Sequence, residues 1–272
     1  MVEVFPLEQA AVAFERMKTP KVHFRAVLKI TRVPSMSEML KILQERQSAR
    51  VPFDHNRPVS KEKLKQILEA ARWAPTAHNM QNFDVIVIDD KSVLKKIGNI
   101  KSRISEEFLR ENYEQLSFSK QELLKKKTGI LGTMFPPEWV DPSKMAQVAR
   151  ETAPGLLTQS MRGSPMLLIV TYDSRKRAPA SAGDVLGFMS LGCVMENMWL
   201  MAQALGVGLQ ILSSFAAPHV EREIKQLLSV PEYMKIAYAC RVGYPAESTK
   251  YLRVRRDIEE FTHWNKFGNK GL

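Results

Sequence analysis

Four short apolar runs, each bounded by polar or turn-forming residues, constrain the fold of this chain more than any other feature. They have the length and the β-branched content of buried strands, and they lie at residues 83–88, 166–172, 207–212 and 235–242. Helical patterns alternate with them at residues 38–46, 61–73 and 185–205 and from residue 218 onward. In the longest helix, Asp184 is the predicted N-cap and Gly206 the predicted stop. The sequence therefore predicts a fold that mixes helices with buried strands.

Length and composition indicate a globular protein with a substantial core. The chain has 272 residues, of which 44% are hydrophobic. No apolar run reaches the roughly 20 residues that cross a bilayer, and the N-terminus lacks the basic start of a signal peptide. We therefore expect no membrane span and a cytoplasmic location. The two cysteines and five histidines have no metal-ligand spacing, so we expect no metal site.

A net charge of +11, from 40 basic and 29 acidic residues, requires that nucleic-acid binding be considered. The basic residues are interleaved with acidic ones. The one short basic run, at residues 125–127, ends a stretch that already contains several glutamates. This pattern is typical of a solvated helix face, and a positive field also suits small anionic ligands. We therefore expect no nucleic-acid partner.

Two polar segments are the best candidates for a ligand site. The first, Arg46-Gln47-Ser48-Ala49-Arg50, places two guanidiniums and a hydroxyl within five residues. That donor set suits a phosphate, because arginine presents a planar fork of donors that stays charged. The second, residues 74–81, is a turn-forming loop of small and amide side chains, which can approach a flat heterocycle closely.

In their order along the chain, these segments resemble the motifs of the FMN-dependent nitroreductase family, from about residue 36 to residue 268. The resemblance implies an α+β fold whose mixed, mainly antiparallel central sheet is flanked by helices. It also implies an intertwined homodimer with its sites at the subunit interface. One departure is clear, because Asn82 and Phe83 stand where the family usually has Pro-Trp.

The resemblance implies a role for each matching residue. Arg46 and Ser48, with Gln47 beside them, would bind the FMN phosphate and ribityl chain, and Arg50 would lie at the pyrimidine side of the ring. The loop residues Pro75, Thr76, Asn79 and Gln81 would reach the flavin that the other subunit holds. The backbone at Leu212 and Ser213 would lie against flavin N5 and O4, and Arg253 and Arg255 would bind the phosphate. Arg50 is also the candidate catalytic residue, because it would stabilise negative charge on the reduced ring.

The activity implied is hydride transfer from NADH or NADPH to a small organic acceptor, such as a nitroaromatic or a quinone, in two half-reactions. A variable lid region is expected at about residues 100–162. Two alternatives remain open. One is a flavin-dependent dehalogenase or a flavin-fragmenting relative, and the other is a non-enzymatic protein that binds flavin or nucleic acid.

The first residues of the chain form a unit of a different kind. The runs 5–10, 13–17 and 22–28, with a helical pattern at 7–18 and a strand pattern at 24–30, resemble the C-terminal tail of medium-chain alcohol dehydrogenases. No dinucleotide motif or zinc-ligand set of that family accompanies them. We therefore predict an N-terminal helix-strand appendage at residues 1–35 and an FMN-binding domain at residues 36–272.

Overall fold

The computed structural model describes residues 2–6, 15, 25–29, 36–111, 115–134, 136–139, 141–150, 156–249 and 251–270. It divides the chain into two compact units, Met1–Arg46 and Gln47–Leu272. The domain boundary proposed after residue 35 stays a prediction.

The first unit contains a pair of parallel strands, β1 (Val2–Pro6) and β2 (Arg25–Lys29), and the helix α1 (Met36–Glu45). Strand β2 and helix α1 confirm the patterns at 24–30 and 38–46. The helix predicted at 7–18 lies almost entirely outside the described residues. Strand β1 was not predicted.

The second unit contains the remaining helices and strands. In chain order they are α2 (Lys61–Arg72), β3 (Asp84–Ile88), α3 (Lys91–Gly98), α4 (Glu106–Leu109), β4 (Ser117–Phe118), α5 (Lys120–Lys126), β5 (Ile130–Leu131), α6 (Pro142–Arg150), α7 (Leu156–Met161), β6 (Met166–Asp173), α8 (Val185–Ala204), β7 (Gly208–Leu212), α9 (Pro218–Leu227), β8 (Met234–Gly243) and α10 (Ile258–Phe261). Strands β4 and β5 form a small parallel pair of their own.

A four-stranded sheet forms the centre of this unit. Its strand order is β3-β6-β8-β7, and all three neighbouring pairs are antiparallel. These are the four strands predicted from the apolar runs, and their ends differ from the prediction by one residue at most. Strands β6 and β8 lie in the middle of the sheet and are buried along nearly their whole length, which explains why their sequences are continuously apolar. The predicted α+β fold with a mainly antiparallel sheet is confirmed.

Helices cover both faces of the sheet. Successive side chains of a strand point to opposite faces, so neighbouring residues of β6 pack against different helices. Leu168 and Val170 of β6 belong to one cluster, which includes Ile67 of α2 and Met198 of α8. Leu167 and Ile169 belong to the other, whose helical members include Ile97 of α3, Leu157 of α7 and Ile224 of α9. The core therefore has two layers, one on each side of the sheet.

Helix α8 is the most apolar helix of the described residues. The span Ala182–Ala204 has a mean hydropathy of 1.4 and is, within the described ranges, the one helix long and apolar enough to cross a membrane. Its inward residues, including Val194 and Met198, pack against α2 and the sheet, and the core helix of a soluble protein has the same composition. The hydropathy of α8 is therefore only a weak indication of a membrane span.

The start of α8 differs from the prediction that Asp184 caps it. Asp184 adopts a left-handed conformation (φ 55°), and its carboxylate accepts a hydrogen bond from the Ala178 N–H (2.9 Å). The Ser181 hydroxyl accepts from the Leu186 N–H (2.9 Å) in the first turn instead. Asp184 therefore stands at the predicted N-cap position, but its side chain makes no capping hydrogen bond because it bonds to the preceding loop.

Candidate ligand site

The first polar segment lies along the edge of the sheet formed by β7. The Ala49 N–H donates to the Leu209 carbonyl (3.0 Å), and the Arg50 N–H donates to the Ser48 carbonyl (3.0 Å). From α8, the Trp199 indole N–H donates to the Gln47 carbonyl (3.1 Å). Ala49 is buried, whereas Ser48 and Arg50 on either side of it are half-buried. The backbone is thus fixed, and the two polar side chains remain partly accessible.

The first polar segment and the residues just after it, together residues 47–54, pair with the chain that follows β8. The Asp54 N–H donates to the Tyr244 carbonyl (2.8 Å), and the Ala246 N–H donates to the Pro52 carbonyl (2.9 Å). The Gln47 amide donates to the Thr249 hydroxyl (2.7 Å). The chain that leads to Arg253 and Arg255 therefore passes beside the first motif, although about 200 residues separate them in sequence.

A cavity of about 150 Å³ adjoins this junction. Gln47, Gln203 and Thr249 contribute polar groups to it, and no aspartate or glutamate is among its described lining residues. Gly208 allows the close packing beside it, because a Cβ atom there would lie 2.9 Å from Pro245 Cγ and 3.1 Å from Ala49 Cβ. An anionic group placed here would meet no carboxylate from this lining.

Leu212 and Ser213 lie at the far end of β7. Leu212 is the last residue of the strand and is buried, and Ser213 begins the exposed turn that follows. Ala49 bonds to the same strand at Leu209, three residues earlier, which corresponds to about 10 Å along a strand. The first motif and the end of β7 thus lie on the same edge of the sheet.

The second polar segment is a loop that follows α2. His78, Asn79 and Gln81 all adopt left-handed conformations, with φ of 50°, 52° and 47°. Such conformations cost energy in residues other than glycine and persist only when surrounding contacts hold them. The Ala77 N–H donates to the Ser190 hydroxyl of α8 (3.0 Å), and the Gln81 N–H donates to the Thr76 hydroxyl (3.2 Å).

Asn82, which replaces the usual proline, anchors the end of this loop. Its amide nitrogen donates to the carbonyls of Asp173 (3.1 Å) and Lys176 (3.2 Å), and its oxygen accepts from the Asp173 N–H (3.1 Å). Asp173 is itself nearly buried, and hydrogen bonds from Arg175 lower the pKa of its carboxyl to about 2. The departure from the family pattern therefore has a clear structural role.

The predicted site residues form two groups within one chain. The loop 75–81 bonds within itself and to Ser190 of α8. Residues 47–54 bond to Trp199, farther along α8, and to β7, β8 and residues 244–249. The described hydrogen bonds do not connect the two groups. Pro75, Asn79 and Gln81 are exposed and available to a ligand or to another chain.

The remaining predicted residues are Arg46, Arg253 and Arg255. Arg46 ends the first unit. Arg253 and Arg255 are exposed, and the Arg255 guanidinium donates to the Val254 carbonyl (2.7 Å). The tail beyond them is bound to Lys127, whose ammonium donates to the carboxylates of Asp257 and Glu260, and these bonds raise the pKa of Lys127 to about 12. Their roles toward a phosphate stay predictions.

Arg241 is a site residue that sequence reasoning missed. It lies in the middle of β8 and is completely buried, and its guanidinium bonds to the backbone of the first polar segment. The available signal was a charged residue inside the strand pattern 235–242, between Cys240 and Val242.

Comparisons with known proteins agree with this geometry. A model described as "Nitroreductase family" matches residues 43–244. A protein of Archaeoglobus fulgidus, named provisionally as an NADH dehydrogenase/NAD(P)H nitroreductase, is 25% identical over 216 residues, which is 79% of this chain and 90% of that protein. The FMN reductase [NAD(P)H] of Bacillus subtilis is 40% identical over 65 residues, 24% of this chain and 25% of its own.

Among solved structures, a nitroreductase with bound FMN from Bacteroides fragilis has a TM-score of 0.53 and 18% identity, and the alignment covers 83% of this chain and 97% of that one. This similarity shows the fold. The matched range 43–244 includes both polar segments and ends before Arg253 and Arg255. The resemblance of residues 1–31 to alcohol dehydrogenases lies outside it and stays a prediction.

Proposed function

Because this chain belongs to the nitroreductase family, we propose that it is an FMN-dependent oxidoreductase that uses NADH or NADPH to reduce a small organic acceptor, such as a nitroaromatic or a quinone. The observation that carries the proposal is the junction of residues 47–54 with β7 and residues 244–249. It brings a segment rich in phosphate-binding donors to the sheet edge that ends at Leu212 and Ser213.

The residues at this junction fit a phosphate-bearing flavin. Ser48 and Arg50 offer a hydroxyl and a guanidinium on a rigid backbone, and the adjoining cavity has no described carboxylate in its lining. Donors of this kind form strong charge-assisted bonds to phosphate. Arg46, Gln47, Ser48, Arg253 and Arg255 would hold the phosphate and ribityl chain.

When bound, FMN supplies the two-electron chemistry, and the protein supplies position and electrostatics. Arg50 would place a permanent positive charge at the pyrimidine side of the ring, where it favours the reduced form. Its backbone is held in place because its carbonyl accepts a hydrogen bond from the guanidinium of Arg162. Leu212 is buried and would shield one side of the ring from water, and the Ser213 backbone would orient the ring.

We further propose that the protein is a homodimer whose subunits meet along α8. The N-terminal half of this helix exposes Val185, Phe188 and Met189 at 55%, 52% and 60% in the single chain. A second copy would cover this apolar surface. Since the loop 75–81 is hydrogen-bonded to α8 through Ser190, dimerisation could bring each loop to the residue 47–54 segment of the partner, joining the two groups of site residues.

An absorbance experiment tests the proposal. The purified protein, supplemented with FMN and desalted, should keep a flavin spectrum, lose its yellow colour under anaerobic NADH or NADPH, and regain it with nitrofurazone or menadione. A retained flavin that neither nucleotide reduces would favour a dehalogenase or a flavin-fragmenting relative. A protein that retains no flavin would overturn the proposal. The lid at about residues 100–162 and the cytoplasmic location remain predictions within it.

A further inference from the structure

Arg241 is the largest completely buried side chain among the described residues, at 0% exposure. It lies on β8 opposite Gln210 of β7, and its guanidinium donates to the Gln210 side-chain oxygen (2.7 Å) and the Met161 carbonyl (3.2 Å). It also donates to the carbonyls of Ala49 and Val51 (2.7 Å to the latter).

None of these acceptors carries a charge, which is unusual for a buried guanidinium. Burying an unpaired charge is costly, and an apolar side chain of similar size is often as stable in a core. Burial, with the nearby Arg162, lowers the pKa of Arg241 to about 10, so the group remains protonated at neutral pH. Two of its four acceptors belong to a single short segment, and Phe53 of that segment lies under the guanidinium, with 4.2 Å between Cζ and the ring centroid.

A second arginine completes this arrangement. The carbonyl of Arg50, between the two that Arg241 binds, accepts a hydrogen bond from Arg162. Three consecutive carbonyls, of residues 49–51, are therefore tied to two guanidiniums. The backbone that carries the side chains of Ser48 and Arg50 has little freedom to move.

We infer that Arg241 is a positioning residue for the FMN-binding segment, and that its guanidinium holds the backbone of residues 49–51 in the conformation that presents Ser48 and Arg50 to the flavin. The inference rests on the proposed function, because it assigns those two side chains to FMN. It also predicts that the segment is ordered before FMN binds, which lowers the entropic cost of binding.

The test compares Arg241→Met with a matched control, Lys225→Met, in the full-length protein. Lys225 is also nearly buried (4% exposed), and its ammonium donates to the Glu232 carbonyl (2.6 Å), away from the segment. For both apoproteins we would measure the Kd for FMN by fluorescence quenching, the melting temperature, and hydrogen–deuterium exchange of peptides that cover residues 47–53.

We expect Arg241→Met to raise the Kd for FMN at least tenfold and to accelerate exchange at residues 47–53, including the Ala49 amide, while peptides of β6 stay protected. Lys225→Met should lower the melting temperature and leave both the Kd and the exchange of residues 47–53 at wild-type values. Arg241→Lys keeps the charge but offers one nitrogen, so it should bind FMN with an intermediate Kd.

If Arg241→Met does not fold, Arg241→Lys is used to test whether Arg241 positions the segment. A wild-type Kd and wild-type exchange at residues 47–53 in either folded Arg241 variant would overturn the inference. An equal loss of FMN affinity in Lys225→Met would do so too, because the effect would then follow global stability. If the wild-type protein binds no FMN, the proposed function fails, and the exchange measurement still tests whether Arg241 orders the segment.

Discussion

Replacing Asn82 with alanine should loosen the loop that precedes it and destabilise the protein. The Asn82 side chain makes three hydrogen bonds, to the Asp173 N–H, the Asp173 carbonyl and the Lys176 carbonyl. Asp173 is only 5% exposed, so its N–H would lose its partner without gaining water, at a cost of about 1–3 kcal/mol. The two carbonyl bonds contribute less, since water can replace part of them. We expect a total loss of about 2–3 kcal/mol.

For a chain of this size, each kcal/mol corresponds to about 2–4 °C, so the melting temperature should fall by about 4–12 °C. The control is Asn56→Ala, because Asn56 is exposed and its side chain makes no described hydrogen bond. Its effect should stay within about 0.5 kcal/mol. Both variants would be measured by thermal denaturation and by hydrogen–deuterium exchange of residues 76–83.

The exchange result bears directly on the loop. His78, Asn79 and Gln81 hold left-handed conformations that need support, so their peptides should exchange faster in Asn82→Ala and remain unchanged in Asn56→Ala. Equal melting temperatures for the two variants, with unchanged exchange in both, would refute the claim that Asn82 holds the loop.

Three further predictions concern the sheet edge and its surroundings. Arg50→Ala should slow reduction of bound FMN by NADPH by a factor on the order of 10², which is more than it weakens FMN binding. Stopped-flow absorbance measures the reduction rate and equilibrium titration the binding; an equal loss of rate and of affinity would contradict the electrostatic role. Gly208→Ala should cost about 1–3 kcal/mol, because its new Cβ would lie 2.9 Å from the ring of Pro245. The control is Gly132→Ala, whose new Cβ would lie no nearer than 3.7 Å to another residue and should not destabilise the protein; thermal denaturation of both variants measures the difference. Hydrogen bonds from Arg175 lower the pKa of Asp173 from 3.8 to about 2, so the ionised carboxylate stabilises the fold above pH 3.8 and this stabilisation is lost as the pH falls toward 2. The melting temperature of Asp173→Asn should therefore depend less on pH over this range than that of the wild type. Parallel pH profiles of the two proteins would contradict this prediction.

Strands β6 and β8 could be predicted from sequence because burial on both faces makes their apolar runs continuous. Strand β6 shows this most clearly, since Leu167 and Leu168 face opposite clusters and are both completely buried. The strand order could not be obtained from the pattern alone, because it depends on pairings between distant segments. The family resemblance implied only a mixed, mainly antiparallel sheet, and the order β3-β6-β8-β7 is known from the structure. Strand β1 was missed because a five-residue segment ending in proline gives little signal.

The candidate site could be proposed from sequence where its motifs are local, and its contacts between distant parts of the chain were missed. The segment 46–50 and the loop 74–81 each carry several hydrogen-bonding side chains within a few residues, so their residue types indicate a ligand. Arg241 acts on carbonyls about 190 residues away in sequence, and nothing in the run 235–242 points to them. For a related reason the sequence did not show that the side chain of Asp184 leaves α8 uncapped, because its backbone conformation and its bond to Ala178 depend on the preceding loop.

A crystal structure of the protein with FMN would show whether the sheet edge at β7 binds the flavin. We expect the FMN phosphate within hydrogen-bond distance of Ser48 and of an arginine at 253 or 255. The ring should lie beside Arg50 and Ser213, with Asn79 of the partner subunit against it. Flavin bound away from residues 47–50, or a homodimer whose sheet edge at β7 binds no flavin at saturating FMN, would contradict this expectation.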